Sequence, residues 1–146
     1  MQIEVRIDES CREPKVIIFT ASMTEEVNGL VQKLSENNHR MIVGSKDGRV
    51  EIIEQNDLLK IYAGNGKVFA ATDNGEYTLR LRLYEVEERL NPAQFVRISN
   101  SEIVNLKKVK NFDLSFTGTI CVELINGTSL YVSRRYVNKI KKILGM

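Results

Sequence analysis

The chain opens with alternating apolar and polar positions. Ile3, Val5 and Ile7 share one side of IEVRI, and KVIIFT (residues 15–20) is rich in β-branched residues, so both stretches are expected as strands. The interval then lengthens. Met23, Val27, Leu30, Val31 and Leu34 recur at helical spacing, which predicts an amphipathic helix over residues 23–35. Ser22, with Glu25 three residues later, reads as its capping box, and Asn37-Asn38 as its end.

From Met41 the pattern changes to short strands and tight turns. RMIVG and RVEII flank Ser45-Lys46-Asp47-Gly48, LLKIYA and KVFAA flank Gly64-Asn65-Gly66, and EYTLRLR follows Asp73-Asn74-Gly75. ICVELI and SLYV flank Asn126-Gly127. Asn-Gly between alternating strands supplies the positive φ angles of a type I′ hairpin turn, so this part is expected to be antiparallel β. Leu83, Val86 and Leu90 mark a short helix stopped by Asn91-Pro92. Ser99-Asn100-Ser101-Glu102 has the form of a second capping box, opening a helical turn through Ile103 and Val104. Ser133 is expected to cap a last helix over Arg134–Leu144, with Gly145 as terminator. The fold class is therefore mainly β with short helices. The break in texture divides the chain into residues 1–40, a strand-strand-helix extension, and residues 41–146.

Composition narrows the function. At 146 residues, with 42% apolar and 27% charged side chains, the chain can bury a core without metal or disulfide. No apolar run approaches the roughly eighteen residues of a membrane span, and MQIEVRIDES is too acidic for a signal peptide, so a cytoplasmic location is expected. Cys11 and Cys121 read as separate free thiols. His39 is the single histidine, which excludes a histidine triad or a multi-histidine metal site. Glu85, Glu87 and Glu88 read as a solvated helix face, and Gly64-Asn65-Gly66 as a turn rather than a phosphate loop. No cofactor, metal or small-molecule substrate is implied, and catalysis is not expected.

The net charge of +2 conceals an asymmetry. Residues 1–102 carry thirteen Lys/Arg against seventeen Asp/Glu, a balance of −4, whereas residues 103–146 carry eight against two, a balance of +6. On a helical wheel Tyr136, Val137, Ile140, Ile143 and Leu144 face one way. Arg135, Asn138, Lys139 and Lys142 face the other, within about 100° of arc. A solvated face accounts for the lysines. It accounts poorly for Arg134 and Arg135, which stand at a helix start against the dipole. An anion reverses that penalty, and arginine can grip a phosphate or bind guanine bidentately. The turn after Arg97, with Asn100 and open backbone N–H groups, offers a second anion site. Nucleic acid is the favoured ligand. A protein-interaction module using the basic helix, or an RNA binder using Phe69, Tyr77 and Tyr131, stays open on these residues alone.

FVRISNSEIVNL (95–106), VELINGTSLYVSRRYV (122–137) and DLLKIYAGNGKVF (57–69), in this order, resemble the LytTR DNA-binding domain of bacterial transcription regulators over Met41–Leu144. The resemblance implies an elongated arrangement of three antiparallel sheets, reading double-stranded DNA by loops at strand ends. It implies base contacts from Arg135 and Lys67 in successive major grooves and from Asn100 in the minor groove between them. Asn65, Arg97, Ser101, Ser133, Arg134 and Lys139 are the implied backbone contacts. It further implies a stand-alone regulator without a receiver domain, a homodimer on repeated half-sites, and an inhibitory membrane protein as a candidate partner. Forty leading residues are too few for a phosphoacceptor domain.

Overall fold

The computed structural model describes residues 1–36, 41–115 and 117–146. The chain forms two units, Met1–Asn37 and Asn38–Met146. The expected helix end at Asn37-Asn38, together with His39 and Arg40, lies outside the described residues.

The first unit departs from expectation in its opening residues. Neither 3–7 nor 15–20 forms a strand, and Ile3, Val5, Ile7 and Phe19 are 82% exposed or more. Alternation licenses a strand only where another backbone accepts its N–H and C=O groups, and none pairs with these segments here. Asp8 instead closes a local turn, accepting from the backbone N–H (2.9 Å) and hydroxyl (2.6 Å) of Ser10. Helix α1 spans Glu25–Glu36. Its cap is Thr24 rather than Ser22: Thr24 Oγ1 accepts from Val27 N at 3.3 Å, and the Thr24 carbonyl accepts from Asn28 N.

Among its described residues the second unit contains ten strands in two antiparallel sheets. β1 (Ile42–Lys46), β2 (Arg49–Ile53), β3 (Leu58–Gly64), β4 (Lys67–Thr72), β5 (Gly75–Leu79), β6 (Phe95–Ser99) and β7 (Glu102–Asn105) form one, in the order β2-β1-β5-β4-β3-β7-β6. β8 (Val109–Asp113), β9 (Ile120–Leu124) and β10 (Ser129–Val132) form the other, in the order β10-β9-β8. The expected third sheet is merged with the first: the β1–β2 hairpin joins β5 through the single pair Ser45↔Thr78. Helix α2 (Leu83–Arg89) follows β5, and α3 (Arg134–Ile143) follows β10.

Two hairpins use two-residue turns with positive φ at both positions: Asp47-Gly48 (51° and 77°) and Asn65-Gly66 (53° and 73°). Asn126-Gly127 behaves differently. Only Gly127 is left-handed, and the loop widens so that Leu124 N–H reaches the Thr128 carbonyl at 2.8 Å.

The central strands are buried on both faces and feed two cores. Leu58, Phe95 and Ile103 point to one, beneath α2, and their neighbours Leu59, Val96 and Val104 to the other, beneath α3 and the three-stranded sheet. Ile140 anchors α3 in the second core at 0% exposure. Asn105 is equally buried, yet satisfied: Nδ2 donates to the Leu58 carbonyl (2.8 Å) and Oδ1 accepts from Lys107 N (3.0 Å).

Candidate nucleic-acid interface

Strand direction gathers the candidate residues at one end of the larger sheet. β3 ends at Gly64, and its antiparallel neighbour β7 begins at Glu102, opposite Tyr62. The Asn65-Gly66 tip and the Asn100-Ser101 turn are therefore adjacent, tied by Ala63 N–H donating to the Ser101 carbonyl at 2.8 Å. A bulge between Arg97 and Ser99 interrupts the β6–β7 ladder at Ile98. The carbonyl of Ile98 then accepts from Ser133 N at 2.9 Å, which brings the start of α3 to the same place.

The expected helical turn at Ser99–Val104 is instead a hairpin, with Glu102 already in β7. Ser-Asn-Ser-Glu fits a capping box and a strand-joining turn equally well, and the alternating flanks decide for the turn. Its backbone donors are not all open, since Ser101 N–H is bonded to Ser99 Oγ at 3.2 Å. Ser133 occupies the N-cap position of α3, but its side chain makes no capping bond.

Arg97 is committed to this turn. Its Nε donates to the Ser99 carbonyl (3.0 Å), Nη2 to the Asn100 carbonyl (2.6 Å) and Nη1 to Glu87 Oε2 (2.8 Å). The Glu87 side chain, expected on a solvated face, is the counter-charge that fixes Arg97. Asn100 is exposed, and its Oδ1 accepts from Arg135 Nη1 (3.4 Å) and Tyr136 Oη (3.2 Å). A guanidinium has donors only, so the oxygen of the amide faces α3 and the NH2 group is turned away from it. Tyr136 escaped the sequence reading because its ring belongs to the docking face. Only the reach of its hydroxyl to the turn reveals it.

Lys67, Asn65, Ser101 and Arg134 are exposed around this pair. Lys139 lies one helical turn further along, beside Glu87, Arg97 and Ile143 on a shallow groove. Behind the Lys67 hairpin, Tyr62 stacks on Phe69 with ring centroids 5.2 Å apart, and its phenol is bonded to Glu76. That carboxylate, with burial second, pushes the Tyr62 pKa up to about 12. Exposed cations beside an outward amide suit a polyanion that also presents hydrogen-bond acceptors.

The LytTr DNA-binding domain profile matches residues 48–145. The chain belongs to the LytTr DNA-binding domain family. HTH-type transcriptional regulators of Staphylococcus aureus, uncharacterized in function, align with all of this chain and 99% of their own length, at 32% identity in strain NCTC 8325 and 31% in strain MRSA252. A LytTr DNA-binding domain from Bacillus cereus superposes with a TM-score of 0.69, covering 73% of this chain and 97% of its own, at 22% identity. The family's mainly β fold is thus confirmed. Despite the relatives' name, strands separate α1, α2 and α3 from one another, and no helix-turn-helix occurs among the described residues.

Proposed function

We infer that this LytTr protein is a transcription regulator, not an enzyme, that reads duplex DNA with the sheet end carrying Asn100, Arg135 and Lys67. The observation carrying this reading is the convergence of Asn100 with Arg135 and Tyr136 beside the Asn65-Gly66 tip. Asn100, its NH2 group turned outward, suits the minor groove, where A·T pairs show acceptors only and guanine adds an obstructing donor. Arg135 exchanges its long, exposed bond to Asn100 for a base edge in the major groove. Lys67 reads the neighbouring groove. Ser101, Ser133, Arg134, Lys139 and Asn65 hold the backbone without reading sequence. Arg97, bound within the protein, shapes the turn instead of gripping phosphate.

The protein acts as a homodimer on repeated half-sites in the cytoplasm, where the DNA is. The leading residues Met1–Asn37 form a unit of their own. They are also the part available to an inhibitory membrane protein. Of the three aromatics that the RNA reading would stack on bases, Tyr77 is 8% exposed and Phe69 is engaged by Tyr62; Tyr131 is 57% exposed, and a single exposed ring makes a poor stacking platform. Competition between duplex DNA and single-stranded RNA tests the choice. Preference for the duplex, with dependence on its sequence, is the expected result.

A further inference from the structure

The leader presents apolar side chains and backbone with nothing to cover them. Ile3, Val5 and Ile7 are 83%, 82% and 93% exposed in a segment without regular structure, and in an extended backbone they share one side. Gln2, Glu4, Arg6 and Asp8 occupy the other side. Arg6 Nε meets Glu4 Oε1 at 3.3 Å, but the two side chains remain 83% and 74% exposed, so their charges are open to further partners.

This segment is complementary to itself in one register. Paired antiparallel with a second copy about a two-fold axis at Val5, Ile3 faces Ile7 and Glu4 faces Arg6, twice each. Gln2 faces Asp8, and Val5 faces its own copy. Moving the axis to Glu4 sets Glu4 against Glu4. Moving it to Arg6 sets Arg6 against Arg6 and Glu4 against Asp8. Parallel in-register pairing repeats both repulsions. Moving the axis to Ile7 keeps Arg6 against Asp8 but sets Val5 against Glu9, inside the turn that Asp8 closes with Ser10. Like charges directly opposite each other destabilise a sheet and opposite charges support it, so charge and apolar pairing together select the Val5-centred register.

We propose that residues 2–8 form an antiparallel two-stranded ribbon with the same residues of a second copy, making the leader the dimer contact. This rests on the dimeric reading given above and names the surface that carries it. A two-stranded ribbon alone is marginal in water. The apolar run Val16–Phe19 and the α1 edge at Val31 and Leu34 provide the surface that covers its apolar face.

Sedimentation of the full chain and its variants tests the proposal. Glu4→Arg and Arg6→Glu should each weaken dimerisation by about tenfold or more, and the double exchange E4R/R6E should restore it to near the starting value. Val5→Cys, in a Cys11→Ser background, should give an oxidised covalent dimer, because only the residue on the axis meets itself; the remaining Cys121 is buried. A dimer that ignores the single reversals, is not rescued by the double exchange, or fails to cross-link through Cys at position 5 overturns the ribbon and leaves the dimeric reading standing. A chain that is monomeric at every concentration overturns both.

Discussion

Arg135 Nη1 lies 3.4 Å from Asn100 Oδ1, joining two side chains 35 positions apart at the end of the sheet that carries the Asn65-Gly66 tip. The contact is long and exposed, so it stabilises little by itself. Its consequence is orientation. With Tyr136 Oη donating to the same oxygen at 3.2 Å, the Asn100 amide has one favoured direction.

Tyr136→Phe removes the group that still holds this amide once Arg135 has turned from it to a base. Discrimination between A·T and G·C at the base pair under Asn100 should fall by about 0.5–1.5 kcal/mol, the worth of one hydrogen bond. Preference at the Arg135 position should persist. Competition among duplexes changed at single base pairs measures both, and unaltered A·T preference would refute the orienting role.

Arg97→Ala separates turn-shaping from phosphate contact. Loss of its three bonds releases the carbonyls of Ser99 and Asn100, and DNA affinity should fall about tenfold or more. The salt dependence should keep its slope, because no phosphate contact is lost. A slope reduced by about one unit would instead make Arg97 a phosphate ligand. Lys139→Ala is the companion measurement, and there the reduction of about one unit is expected.

Asn105→Leu removes a fully buried amide and leaves the Leu58 carbonyl and Lys107 N–H without their partner. The buried Leu58 carbonyl, left unpaired, costs about 1–3 kcal/mol, whereas the N–H of exposed Lys107 can turn to water, so the denaturant midpoint should drop while any residual folded protein keeps its base preference. A stability within about 0.5 kcal/mol of the original would contradict the assigned bonds.

Tyr62 gives a pH signature. Its bond to Glu76 favours the neutral phenol and raises its pKa from 10.0 to about 12. A raised folded value means the stabilisation is complete below pH 10 and is lost as pH climbs through about 12. Tyrosinate absorbance should show two phenols titrating late, Tyr62 and Tyr77, the latter raised by its bond to Glu51, and Glu76→Gln should return Tyr62 alone toward the ordinary range. A titration of Tyr62 near 10 in the unaltered protein would contradict the bond.

What was legible in the sequence was local. Asp47-Gly48 and Asn65-Gly66 announce their hairpins because the required positive φ angles belong to those residues alone. Alternation in FVRIS and EIVN located strands, but the short linking motif was ambiguous until both flanks were known to pair. Alternation in the leader predicts two strands because it records what a backbone can do with a partner, and none pairs with it among the described residues. Glu87 and Tyr136 were misjudged for a related reason: each acts through a residue on another element, Arg97 and Asn100. Arg135 and Asn100 could be singled out from the sequence. Their contact could not, since it depends on the bulge at Ile98 that docks Ser133 beside the turn.

Selection of bound duplexes from a random pool, run in parallel with the unaltered chain and Arg135→Ala, tests the base-reading assignment most directly. The unaltered chain should enrich a repeated motif. Arg135→Ala should lose preference at one base position per half-site, at a cost of about 1–3 kcal/mol, with the rest of the motif intact. Enrichment of the same motif by both proteins, or of no motif by either, would contradict it.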